Sequence, residues 1–214
     1  MSKRKLTKGE LKRQRDSLRQ FERYLPTLQL KKQQLQMKIL EAQKFLYEKE
    51  KNLSLKEESI HKWVGLLADP AMDMLTSVSF STDENPFKKW IIPEGVDVDM
   101  MNIAGANVPE LKDVHFHEAK YDFYSAPYWL DRGIEELRAF IRILLDVKMT
   151  KEKIQILKKE LRVTTQRVNL FEKIKIPECL ENIRKIRIYL GDLQANAVGI
   201  SKVAKKKIEA SMAA

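Results

Sequence analysis

Residues 11–67, LKRQRDSLRQFERYLPTLQLKKQQLQMKILEAQKFLYEKEKNLSLKEESIHKWVGLL, decide the fold of this 214-residue chain. Stepping by seven from Leu11 meets Leu18, Leu25, Lys32, Ile39, Leu46, Leu53, Ile60 and Leu67, so eight of nine positions are apolar. That is one seam of a coiled coil. The companion seam, Gln14, Phe21, Leu28, Leu35, Ala42, Lys49, Lys56 and Trp63, turns polar at the two lysines, where loose packing is expected. Thr7 with Glu10 reads as a capping box that starts the helix, and Asp69 before Pro70 as its stop.

The last arm follows the same rule. Phe140, Val147, Ile154, Leu161 and Val168 step by seven, with Ile143, Leu157 and Phe171 on the companion seam. The pattern then slips by one residue and resumes at Ile176, Ile183, Leu190, Ala197 and Ala204, with Cys179, Ile186, Leu193 and Ile200 beside them. Pro177 lies at the slip, where a missing backbone donor is expected to bend the helix. Two arms with one apolar stripe each bury those stripes on each other when the chain reverses between them. The expected fold is therefore mainly α: a long antiparallel two-helix coiled-coil hairpin with a small central head of strands and turns. Pairing the arms from their inner ends places Pro26 level with Pro177, and Cys179 near Phe21 and Glu22.

Charge marks the same three parts. Residues 1–68 carry a net +9, residues 69–131 a net −8 and residues 132–214 a net +9. We read 1–68 as the N-terminal coiled-coil helix, 69–131 as an acidic, aromatic head, and 132–214 as the C-terminal coiled-coil helix with a basic tail. The head holds five of the seven prolines and nine of the 17 aromatic residues, which separates it in kind from the arms. Alternation predicts short strands at 78–80, 96–100, 114–116 and 121–123, with turns at 94–95 and 104–109. Such a head either docks a partner or caps the open end of the coil, and composition does not choose between them.

No catalytic, cofactor or metal set stands out. The seven glycines are followed by Glu, Leu, Val, Ala, Ile, Asp and Ile, never by the Lys-Ser/Thr of a phosphate-binding loop. His115 and His117 share a strand face but have no third ligand nearby in sequence. Cys179 falls on a seam, where cysteine acts as a small apolar group. Neither a secretory leader nor a membrane span is read, and one cysteine fits a reducing compartment. Basic residues crowd both ends, Lys3 to Arg19 and Lys202 to Lys207, and an antiparallel hairpin brings them to one tip. An acidic protein partner or a solvated surface is favoured there over nucleic acid, because no aromatic residues are interleaved.

Two segments carry a resemblance. Arg167-Val168-Asn169, then Glu172, then Ile176-Pro177, resembles the C-terminal helix of the D subunit, the central stalk of V/A-type rotary ATPases. Asn102, Gly105 and Pro109 in NIAGANVP are similar to the same family's central segment. The resemblance implies a non-catalytic rotor-stalk subunit coupling ATP hydrolysis or synthesis to proton or sodium transport. Its implied partners are the A and B subunits of a catalytic hexamer, the F subunit and a docking subunit on the membrane ring. It implies no cofactor, no nucleotide bound directly, no nucleic acid and no membrane insertion, and a cytoplasmic position at the membrane periphery. Heptads alone do not separate such an axle from a non-rotating tether or adaptor, and a basic nucleic-acid-binding hairpin is the third reading. On the stalk reading, loss of residues 100–111 is expected to impair assembly with the F subunit or alter the coupled activity while leaving the long helices intact.

Overall fold

The computed structural model describes residues 6–65, 90–121, 124 and 126–212. The chain is mainly helical, with a two-stranded antiparallel sheet between two long helical arms, in keeping with a helical hairpin that carries a small head. Helix α1 (Lys8–His61) is followed by strands β1 (Pro93–Ile103) and β2 (Ala106–Phe116). Helix α2 (Leu130–Leu170), one π-helical turn (Phe171–Lys175) and helix α3 (Ile176–Met212) complete the order. By compactness the chain divides into residues 34–161 and a second unit of 1–33 with 162–214.

In the unit 34–161 the two helical segments run antiparallel. Lys49 meets Asp146, Lys56 meets Glu136, and Trp63 meets Trp129 at 6.4 Å between ring centroids. Leu35, Ile39 and Leu157 from the helices form one core with Ala106 and Val108 of β2, and Ile103 and Ala104 pack against it. The tip of the β-hairpin is thus a third layer of the coil. Burying side chains of this size stabilises by about 1.5–3 kcal/mol each.

The hairpin turn explains its own sequence. Ile103 pairs with Ala106, which leaves a two-residue loop, and both loop residues have positive φ, 50° at Ala104 and 80° at Gly105. Two positive φ angles are the type I′ geometry that suits the twist of paired strands. Farther down, Asp97 pairs with Asp113 and Val98 with Leu111, so Lys112 is an extra residue in β2. Such a bulge bends and twists the ribbon, which allows Val108 and Val114 both to be buried although their partners, Met101 and Val96, lie on opposite faces of β1. At the base, Arg138 of α2 donates to the carbonyls of Trp90 (3.0 Å) and His117 (2.6 Å). Arg138 and Arg142 both lie 5.4 Å from the ring centre of Phe116, so the ribbon is held to the helix by hydrogen bonds and two cation–π contacts.

Several expectations need correction here. Helix α1 ends at His61, eight residues before Asp69, because Trp63 turns in against Trp129 and its N–H closes a tight turn on the Ile60 carbonyl at 3.1 Å. Asp69 and Pro70, the strand expected at 78–80 and Phe123 lie outside the described residues. The expected strands 96–100 and 114–116 are parts of longer ones. Only Ala104 and Gly105 form the turn expected over 104–109, and Pro109 pairs with Met100 inside β2. A two-strand ribbon has only edges, so a residue without an N–H is tolerated there. Glu94 and Gly95 belong to β1 at a register shift, and Tyr121 belongs to no strand. Of the two lysine layers, that of Lys49 is tied across the arms, since Lys49 donates to Asp146 at 2.8 Å and to Thr150 at 3.1 Å, whereas Lys56 reaches Glu136 only at 3.6 Å.

In the unit of 1–33 and 162–214, Thr7 caps α1 by accepting from the Glu10 N–H at 3.3 Å. The Glu10 carboxylate accepts from Gln14 instead of closing the other half of the box. Phe21 stacks on Phe171 at 5.0 Å, and Asn182 donates to Gln14 at 3.5 Å. The register expected between the arms is therefore wrong by more than a turn. Phe21 faces Phe171, not Cys179, and Pro26 lies about 13 Å along α1 from the level of Pro177. The two ends also differ in height. α3 continues past the level of Lys8, and its residues 191–212 are exposed throughout, so Lys202 to Lys207 stand beyond the basic start of α1.

Candidate functional site

The nine residues singled out by motif fall in two places. Asn102, Gly105 and Pro109 are on the hairpin. The Asn102 side chain accepts from the Gly105 N–H at 3.0 Å and donates to Asn107 Oδ1 at 2.8 Å, so it closes the turn that Gly105 makes possible. Pro109 lines a groove of about 440 Å³ with Phe45, Met101, Leu111 and Met149, rimmed by the Lys49–Asp146 and Lys153–Glu110 ion pairs. One strand over, Ile92, Val96, Val98 and Met100 leave an apolar surface open, with Met100 62% exposed.

Arg167, Val168, Asn169, Glu172, Ile176 and Pro177 surround the π-helical turn. Val168 is buried, whereas Arg167, Asn169, Glu172 and Pro177 are exposed or partly so and Ile176 is half-buried. The Ile176 N–H donates to the Phe171 carbonyl, five residues back rather than four. Pro177 has no N–H to return to an α-helical ladder at the next step. The wide turn holds one residue more than an α-turn, which is the one-residue slip of the seam between Val168 and Ile176. The slip expected beside Pro177 is therefore this inserted residue. Buried Cys179, Ile183 and Ile186 continue the seam after it.

Three arrangements were missed in the sequence. Lys49, Asp146 and Thr150 form a polar layer inside the coil, signalled only by a lysine on a seam and readable once its partner's height is known. Lys56 Nζ stands 3.6 Å from Glu136 Oε2, a buried oxygen without a hydrogen bond among the described residues. The Arg138 and Arg142 clamp on Phe116 had no local signal, since its members come from a helix and a strand that are far apart in sequence. The two histidines take separate carboxylates, His115 with Asp97 at 3.1 Å and His117 with Glu94 at 3.3 Å. Among the described residues no group of three His, Cys, Asp or Glu is placed to hold a metal ion, and no helix is long and apolar enough to cross a membrane.

The observed pairing supports a direct test. With Gln14 against Asn182, Leu18 is the seam residue nearest the level of Cys179. A Leu18→Cys variant is expected to form a disulfide with Cys179 faster than Phe21→Cys does, as read by the mobility shift of oxidised protein on a non-reducing gel. Faster oxidation of Phe21→Cys would restore the rejected register.

Comparison with known proteins agrees with these features. The family model for the ATP synthase D subunit matches residues 10–206. The V-type ATP synthase D subunit of Borreliella burgdorferi is 41% identical over 208 residues, covering 97% of this chain and 96% of the relative. The V-type ATP synthase D subunits of Chlamydia pneumoniae and Chlamydia abortus are 34% and 35% identical, each covering 96% of this chain and 93% of its own length. Near-complete coverage in both directions, at such identity, means that the match spans both arms and the segment between them, and the chain belongs to the ATP synthase D-subunit family.

Proposed function

We propose that this chain is the central rotor stalk of a V-type ATPase or ATP synthase, a non-catalytic axle that couples nucleotide turnover to proton or sodium movement. The observation that carries the reading is the match of residues 10–206 to the D-subunit family on a chain built from two long helical arms. Its partners on this reading are the A and B subunits around the helices, the F subunit and the subunit that docks on the membrane ring. It works in the cytoplasm, peripheral to the membrane. An axle whose sides carry different residues stabilises three surrounding A/B pairs unequally at each rotor angle, and turning it exchanges those states.

The motif residues divide between shape and contact. Asn102 and Gly105 shape the hairpin, Val168 and Ile176 keep the seam, and Pro109, Arg167, Asn169, Glu172 and Pro177 present the surfaces that meet neighbours. The three-part division at 68 and 131 is the functional one on this reading, with the acidic head serving the F subunit and the ring side.

The reading is tested by reconstitution with A, B and F subunits and native mass measurement. One copy per three A/B pairs is expected. Truncation after Leu190 removes only residues that are exposed in α3 and leaves Ile183 and Ile186 buried, so the helices should persist by circular dichroism. ATP-driven ion transport by membranes that carry the whole complex should nevertheless fall by at least tenfold. Full transport with the truncated chain, or absence of the chain from the assembly, would reject the axle.

A further inference from the structure

Four arginines share one flank of the unit formed by 1–33 and 162–214. Arg15 and Arg19 lie one turn apart on α1, and Arg184 and Arg187 one turn apart on α3, and all four line one groove. None of them has a hydrogen bond or ion pair among the described residues. The floor between them is aliphatic: Leu18 is half-buried and Ile183 is buried, while Leu180 and Ile188 are 52% and 55% exposed. Glu22 is the one acidic lining residue. Glu181, next to the groove in sequence, attracts Arg184 through space, a lesser contribution than that of Lys185. Lys185 holds that carboxylate at 2.6 Å, and this hydrogen bond keeps its pKa below the ordinary range.

From this we infer that the groove seats an acidic amphipathic helix of a partner protein, with aliphatic residues on the floor and Glu or Asp against the arginine rims. The chemistry selects this occupant. The spacing on both walls is helical, three and four residues, so a third helix lying between two antiparallel ones places its own side chains at matching intervals. Guanidinium groups pair with carboxylates through two parallel hydrogen bonds, and arginine is the basic residue most often central to protein interfaces. A second copy of this chain packed through the same groove would bring basic residues against basic ones. A nucleic acid would satisfy the rims, but it gains nothing from an aliphatic floor without an aromatic ring to stack on. The inference rests on the stalk reading, in which the surrounding A or B subunits supply the helix.

The test uses the full-length chain with reconstituted A and B subunits. Benzoylphenylalanine in place of Leu180 is irradiated in the assembly, and the adduct is located by mass spectrometry. The adduct is expected on a helical segment of A or B that carries Glu or Asp at intervals of three or four beside aliphatic residues. Separately, the combined Arg15→Glu, Arg19→Glu, Arg184→Glu and Arg187→Glu variant, checked for unchanged helix content and melting temperature, should bind A/B at least 100-fold more weakly at low salt. It should also lose most of the salt dependence shown by the unmodified chain. If the unmodified chain does not assemble with A/B, both the stalk reading and this one fall. If it assembles but the four-arginine variant keeps its affinity and salt slope, only this inference falls. An adduct on a segment without acidic residues, or tight oligonucleotide binding that the four substitutions abolish, would also overturn it.

Discussion

Leu157→Ala is expected to lower the unfolding free energy by about 3 kcal/mol, within the range of about 2–5 for a leucine removed from a closed core. Leu157 is fully buried, and its cluster joins Leu35 and Ile39 of α1 to Ala106 and Val108 of the hairpin. One truncation therefore opens a cavity where three elements meet. Leu144→Ala is the control, since Leu144 is already 41% exposed and its loss should cost well under about 1 kcal/mol. Urea unfolding measures both. The midpoint of the Leu157 variant should fall markedly with the slope unchanged, and amide exchange in β2 should accelerate. Equal midpoints for the two variants would mean that the hairpin does not share a core with the coil.

The same cluster changes how the head is best probed. Removing residues 100–111 was expected to leave the helices intact, but it takes away Ala106 and Val108 and uncovers Leu35, Ile39 and Leu157. A loss of assembly after that deletion would report misfolding as readily as lost docking. A charged residue at Met100, which lies outside that cluster, separates the two effects.

What was legible in the sequence follows from the range of the forces involved. Heptad spacing is local, so both arms and even the one-residue slip after Val168 were readable residue by residue. The strands at 96–100 and 114–116 were readable for the same reason, through the alternation of apolar and polar residues in VDVDM and VHF. The height of one arm against the other was not. It depends on where the chain turns, and counting outward from the arms' inner ends at residues 68 and 133 put Cys179 beside Phe21. Helix α1 stops at His61 because of a tryptophan pair made with Trp129, a contact with no signature in the sequence around Trp63. Lys49 misled in the same way. A lysine on a seam reads as a weak layer until Asp146 and Thr150 are known to stand opposite it. The motif residues were found by family pattern; heptad spacing marked Val168 as a seam residue, but nothing in the sequence separated Asn102, which closes the turn, from exposed residues such as Arg167 and Asn169.

The π-helical turn provides the second large contrast, between two single-residue deletions. Deleting Lys173, exposed within the turn Phe171–Lys175, removes the inserted residue and brings Val168 and Ile176 to a seven-residue spacing. The flanking segments already present Val168 before the turn, and Cys179, Ile183 and Ile186 after it, to the buried side. An ordinary α-turn between them therefore leaves both faces where they are, and stability should change by no more than about 1 kcal/mol, since surface changes are usually small. Deleting Lys159, equally exposed but within regular α2, rotates the residues that follow by about 100°. Leu161, Thr164 and Val168 then leave the seam whatever the π-turn does. Thr164 and Val168 are buried and Leu161 is partly so, and losing such burial costs about 5 kcal/mol together at roughly 1.5–3 kcal/mol for each apolar side chain. For a chain of this size that corresponds to a fall of about 10–20 °C in melting temperature, against little or no change for the Lys173 deletion. Differential scanning calorimetry of the two variants reads the contrast directly. If both deletions are equally damaging, the turn is not an inserted residue between two segments in phase, and the seam must be interrupted there instead.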